Sequence, residues 1–143
     1  MIIQVTPREI PRFWGAIKFA AVKVEEVEEG KIAPFAVELL HALLNEKAQC
    51  FIRLSDDRLL NAITITRIRY NPQTDEKYLY VQCLYSWQIV DDGVWKRDMA
   101  FIKRFARSVG CVYIGALTKN YRAQDIMTNL GFEEEYRVYA LKV

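Results

Sequence analysis

Two apolar, strand-like runs, YLYVQCLYSW at 78–87 and CVYIGAL at 111–117, are separated by one long amphipathic pattern. Within it, Trp95, Met99, Ile102, Ala106 and Val109 recur at helical spacing, and Val94, Phe101 and Phe105 broaden the stripe. Lys96, Arg97, Lys103, Arg104 and Arg107 occupy the rest of the surface, so the spacing predicts a helix over 94–109. A helix between two strands implies a crossover, which sets the second strand parallel to a neighbour. The nearly continuous apolar character of CVYIGAL predicts burial on both its faces.

Around this unit the chain alternates further. MIIQV reads as a short strand. Thr6, Pro7 and Glu9 resemble a capping box with proline at the first helical position, although Pro11 allows the helix to begin there instead. Ile10, Phe13, Trp14, Ile17, Ala21 and Val24 give that helix an apolar stripe, ending in the acidic run before Gly30. A second helix is predicted over 34–45, burying Phe35, Leu39, Leu40, Leu43 and Leu44, with His41 beside that side. QCFIRL (49–54), LLNAITITRIRY (59–70) and YLYVQCLYSW follow as strands, parted by turns at SDDR and NPQTDEK. After CVYIGAL, NYRAQDIMTNLG (120–131) reads as a helix closed by Gly131, and EYRVYALKV (135–143) as a last strand. The predicted order is β, α, α, β, β, β, α, β, α, β. That is an α/β (α+β layered) fold with a mixed, mostly antiparallel sheet of about six strands and about four helices.

The 143 residues suit one domain spanning 1–143, large enough to bury a core. No apolar run approaches the roughly 20 residues of a membrane span. The first residues lack the pattern of a secretory signal, so a cytoplasmic protein is expected. Cys50, Cys83 and Cys111 are widely spaced within apolar runs and His41 is the single histidine. This pattern suits buried free thiols and argues against a zinc site or a disulfide framework. The net charge of +2 gives no general drive toward nucleic acid, and the cations of the long helix read as a solvated face. The acidic run at 25–29 reads as a solvated helix end, or as a preference for a basic ligand.

By element order, nearly the whole chain resembles the GCN5-related N-acetyltransferases. The likeness is sharpest in the strand, loop and helix of 78–110, and in the closing segment where Asn120, Ala123, Gly131 and Phe132 match that family's Asn–x–x–Ala…Gly–Phe signature. The resemblance implies transfer of an acetyl group from acetyl-coenzyme A to an amine of a small molecule or a protein. It implies that the central strand and the strand after the long helix splay at a bulge, where the pantetheine arm enters. It implies that the pyrophosphate rests on N–H groups at the helix start, where the unpaired N–H groups and helix dipole favour an anion. The positions that would hold the cofactor are Tyr85, Ser86, Trp87, Gly93, Val94, Trp95, Lys96 and Asn120; no metal is implied.

The loop departs from the family pattern. In VDDGVW, Gly93 matches the first glycine, but Val90 replaces a polar or basic residue and Trp95 a small one. Asp91 and Asp92 add negative charge where a pyrophosphate should sit, or cap the helix themselves. Met127 stands where many family members carry a tyrosine that protonates the leaving thiolate, and Tyr121 is no obvious substitute. The central strand has no glutamate; it offers Tyr80, Gln82, Cys83 and Tyr85, none of which identifies a general base. Two functions stay open: acetyl transfer, and a degenerate member of the same fold, of the kind also encoded by bacteriophages, serving as a structural or protein-binding component. A homodimer or partner protein is compatible with either, with aromatics of the last strand as the candidate edge.

Overall fold

The computed structural model describes residues 1–143. Its elements are β1 (Ile2–Val5), α1 (Ile10–Glu25), α2 (Ile32–Leu44), β2 (Ala48–Leu54), β3 (Leu60–Tyr70), β4 (Lys77–Ser86), α3 (Asp92–Ser108), β5 (Tyr113–Ala116) and α4 (Tyr121–Asn129). Short 3-10 turns at Pro7–Glu9 and Glu29–Lys31 lead into α1 and α2. The five strands form one sheet in the order β1-β2-β3-β4-β5. Neighbours from β1 to β4 are antiparallel, and β5 lies parallel to β4, as the intervening α3 requires.

The start of α1 combines both sequence readings. The turn at Pro7–Glu9 absorbs the first proline, and Pro11 falls in the first turn of α1, where a missing N–H costs nothing. The Thr6 hydroxyl donates to the Glu9 carboxylate at 3.1 Å, so the two residues of the anticipated box meet through their side chains and neither of the box's bonds to the backbone forms.

Strand alternation sorts the core into two layers. On β2, Cys50 and Ile52 face α1 and α2, meeting Ile17, Leu39 and Leu43, while Phe51 faces α3 and meets Met99, Ile102 and Ala106. Phe51 packs edge-on against Phe101 and Phe105 at 6.1 and 5.3 Å between ring centres. Six of the seven residues of β2 are buried, because helices cover both faces of the central strands. All three cysteines are buried and free. No helix is long and apolar enough to cross a membrane.

Two expectations are corrected. EYRVYALKV forms no strand, so the sheet has five strands where about six were expected. A strand exists only where its backbone groups find a neighbour, and residues 133–143 make no backbone hydrogen bond. As a result β5 lies at the sheet edge. Its residues are half-buried, against the two-faced burial that their apolar run suggests.

Candidate active site

The β4 strand carries one extra residue. Ile65 of β3 lies opposite Cys83, but the next residue, Thr66, lies opposite Val81, which leaves Gln82 as a bulge. The side-chain alternation reverses there: Leu79 packs in the layer under α3, whereas Cys83 packs in the layer under α1 and α2. The parallel pairing of β4 with β5 stops at the same level, with Val81 opposite Ala116. Residues 82–86 therefore have β3 on one side and an open edge on the other. Every second backbone group along that edge points away from β3, free to pair with something else.

The open edge leads into the start of α3. Ser86 turns the chain by donating its hydroxyl to the Gln88 carbonyl at 2.6 Å. Asp91 is extended and caps the helix, its Oδ1 accepting from the Val94 N–H at 3.1 Å. Asp92 Oδ2 accepts from the Asn129 side-chain amide at 3.2 Å, tying the end of α4 to the start of α3. The N–H groups of Asp92 and Gly93 have no acceptor. A Cβ on Gly93 would stand 3.0 Å from the capping Asp91 oxygen, so the glycine makes room for the cap.

The eight residues expected to hold a cofactor divide. Tyr85 and Ser86 end the open edge of β4, half-buried. Trp87 follows it, stacked on Phe19 of α1 at 6.2 Å and edge-on to Tyr85 at 4.9 Å. Gly93, Val94 and exposed Lys96 sit in the first turns of α3. Trp95 turns the other way: it is 5% exposed, with the Arg53 guanidinium over its ring at 5.1 Å. Its indole therefore leaves the loop unobstructed, contrary to the concern its bulk raises in the sequence. Asn120 caps α4, accepting from the Ala123 N–H at 3.1 Å.

The bulge is also served from α1. The Gln82 amide nitrogen donates to Glu25 at 2.9 Å, and its carbonyl accepts from Arg67 Nε at 2.6 Å. Arg67 in turn forms a two-pronged pair with Glu38 of α2, both contacts at 2.7 Å. This hydrogen bonding holds the Glu38 carboxyl below its usual range. Tyr80, two residues before the bulge, lies under the Arg69 guanidinium at 3.9 Å, and burial pushes its phenol up. Glu25 is the residue that sequence reasoning missed as a neighbour of the bulge. No local spacing connects it to a strand 57 residues later, and the acidic run around it reads as a solvated helix end.

Beneath the start of α3, Asp98 is buried on the apolar stripe and accepts from Arg53 Nε at 2.8 Å. The two Nη atoms of Arg53 and Nε1 of Trp95 are buried without partners. This pair fixes α3 against β2, and hence the helix start against the open strand edge.

The chain shares its overall architecture with solved proteins. A predicted acetyltransferase from Clostridium acetobutylicum, solved with acetyl-CoA, matches with a TM-score of 0.75 at 11% identity, over 99% of this chain and 95% of that one. The fold is that of the GCN5-related N-acetyltransferases. The aminoglycoside acetyltransferase AAC(6')-Iy, solved with the bisubstrate analog CoA-S-monomethyl-acetylneamine, has this fold too; it matches with a TM-score of 0.71 at 19% identity, over 100% and 97% of the two chains. The ribosomal-protein-alanine N-acetyltransferase of Brucella melitensis matches with a TM-score of 0.70 at 12% identity, over 100% and 99%. No family model matches the sequence, and neither does any curated protein. The acetyltransferase fold is thus carried by this chain at sequence identities too low to transfer a substrate.

Proposed function

We propose that this chain transfers an acetyl group from acetyl-coenzyme A to an amine of a small molecule or a protein. The observation that carries the reading is the edge of β4 left open over 82–86 by the bulge at Gln82 and by the end of pairing at Val81 and Ala116. Bound acetyl-coenzyme A would supply the acetyl group as a thioester. The chain offers the amides of the pantetheine arm a row of unpaired backbone groups on that edge. To the pyrophosphate it offers the free N–H groups of Asp92 and Gly93 at the positive end of α3, with Lys96 and Arg97 exposed nearby. Glu25 is assigned as the general base. An ammonium must lose its proton before its lone pair can attack, and the Glu25 carboxylate is held at the bulge by the Gln82 amide.

Asp91 favours a second reading. Its carboxylate already occupies the Val94 N–H and adds negative charge beside the other two. In that case the chain keeps the fold without acetyl transfer and acts as a structural or protein-binding component. Calorimetric titration with acetyl-coenzyme A separates the two. Transfer requires binding in the micromolar range, lost in Gly93→Glu and kept in Glu25→Gln, with amine-dependent thiol release abolished in Glu25→Gln. Absence of binding at millimolar acetyl-coenzyme A would discard transfer in favour of the second reading.

A further inference from the structure

A chain of side-chain hydrogen bonds joins the bulge to both helices that cover it. Glu38 of α2 accepts two bonds from the Arg67 guanidinium, each at 2.7 Å. Arg67 stands opposite Tyr80 in the ladder and reaches Gln82 diagonally. Its Nε donates to Gln82 Oε1 at 2.6 Å, and Gln82 Nε2 donates to Glu25 Oε2 of α1 at 2.9 Å. The chain of bonds has a direction. A guanidinium carries donors only, so the Gln82 oxygen must face Arg67, and the amide N–H groups must then face Glu25. The two-pronged contact with Glu38 holds the guanidinium plane and leaves its Nε aimed at the bulge.

We propose that Arg67, held by Glu38, is a positioning residue for Glu25 and acts on it through the Gln82 amide. The role rests on the reading of Glu25 as the base for the attacking amine. While Glu25 is ionised, both ends of the relay demand the same amide orientation, since a carboxylate only accepts. Once Glu25 has taken a proton from the amine, it can donate as well. A free amide could then turn its oxygen to the new O–H and hold the proton there. Arg67 forbids that turn, because it would set N–H groups against a donor-only cation. The amide keeps donating to the carboxyl, which favours the ionised form and returns the base for the next turnover.

The deciding test is the side-chain amide signal of Gln82 in nitrogen–proton correlation spectra of the cofactor-free chain, identified by its loss in Gln82→Met. The signal should move in Glu25→Ala. It should move also in Arg67→Gln, whose amide accepts as well as donates, and stay near the parent position in Arg67→Lys, which again only donates. All variants should keep the parent circular dichroism spectrum. Thiol release from acetyl-coenzyme A, with n-butylamine as the acceptor probe, reads the effect on turnover. Arg67→Gln should lower kcat about tenfold at an unchanged KM for acetyl-coenzyme A, less than the roughly hundredfold loss of a gross misplacement. Arg67→Lys should recover most of it, and Arg67→Gln should cost nothing further in a Gln82→Met background. A Gln82 signal that stays in place in Arg67→Gln, or moves as far in Arg67→Lys, overturns the relay. So does a loss in Arg67→Gln that persists in the Gln82→Met background. Failure of the acetyl-transfer reading looks different: acetyl-coenzyme A does not bind, while the amide signal, read without cofactor, still moves as expected.

Discussion

Replacing Asp91 pits helix capping against anion binding, and the two effects have opposite signs. In Asp91→Ala the Val94 N–H loses its side-chain acceptor and keeps only the Asp91 carbonyl at 3.2 Å, which costs about 1 kcal/mol of stability. For a chain of this length that is a fall in Tm of about 3–4 °C. The same change removes a negative charge from the helix start. At about 5 Å from a pyrophosphate, in water and with salt screening, that repulsion is on the order of 1 kcal/mol, or about fivefold in Kd. Acetyl-coenzyme A should therefore bind Asp91→Ala about fivefold more tightly than the parent, although the protein melts earlier. Asp91→Asn separates the terms, because asparagine caps as well as aspartate but carries no charge. It should keep the parent Tm and show the affinity gain. Calorimetry with acetyl-coenzyme A and differential scanning calorimetry measure both quantities. Affinity unchanged or weakened in both variants would refute the placement of the pyrophosphate at the start of α3.

Other consequences follow from the same geometry. Asp98→Ala strands the buried Arg53 guanidinium and should cost about 3–5 kcal/mol in urea unfolding, whereas Arg53→Met with Asp98→Leu should lose far less; equal losses would show that the pair is not what holds α3. The Glu38 carboxyl is depressed by Arg67, so its stabilisation is complete above the ordinary value of 4.5 and is lost as pH falls through the lower folded value. Glu38 is largely exposed, so Glu38→Gln should cost less than about 1 kcal/mol at pH 6, with the gap to the parent closing in acid; a gap that widens there contradicts the pairing. Burial pushes the Cys50 thiol up to about 12 and raises those of Cys83 and Cys111. Native protein at pH 8 should thus give little reaction with a disulfide reagent and three thiols per chain after unfolding, and prompt native reaction would disprove the burial.

The elements built on periodicity were legible in the chain. The alternation in LLNAITITRIRY and the stripe of Trp95, Met99, Ile102 and Ala106 each match the observed β3 and α3 within a residue or two, because each pattern reports a local period against one buried face. The parallel placement of β5 was legible for the same reason, since a helix between strands leaves no other short connection. Asp98 was not. A carboxylate on an apolar stripe reads as an interruption until Arg53, 45 residues earlier, is seen beside it. The site was legible in part. Gly93, Val94 and Asn120 stand at helix starts as their spacing suggests, and Trp95 is buried as its place on the apolar stripe suggests, so the resemblance that set it in the cofactor loop is what the packing beneath α3 overrides.

The amino-acid order by itself determined the type and order of the helices and strands over residues 2–129, with their bounds to within about two residues, because capping, turn chemistry and hydrophobic period act over a few residues. Three things were decided only in the tertiary structure. The bulge at Gln82 arises from register between two strands, and register depends on the partner. The meeting of Glu25 with that bulge depends on how α1 crosses the sheet. Whether EYRVYALKV becomes a strand depends on whether a backbone edge lies within its reach, because a strand has no hydrogen bonds of its own to make.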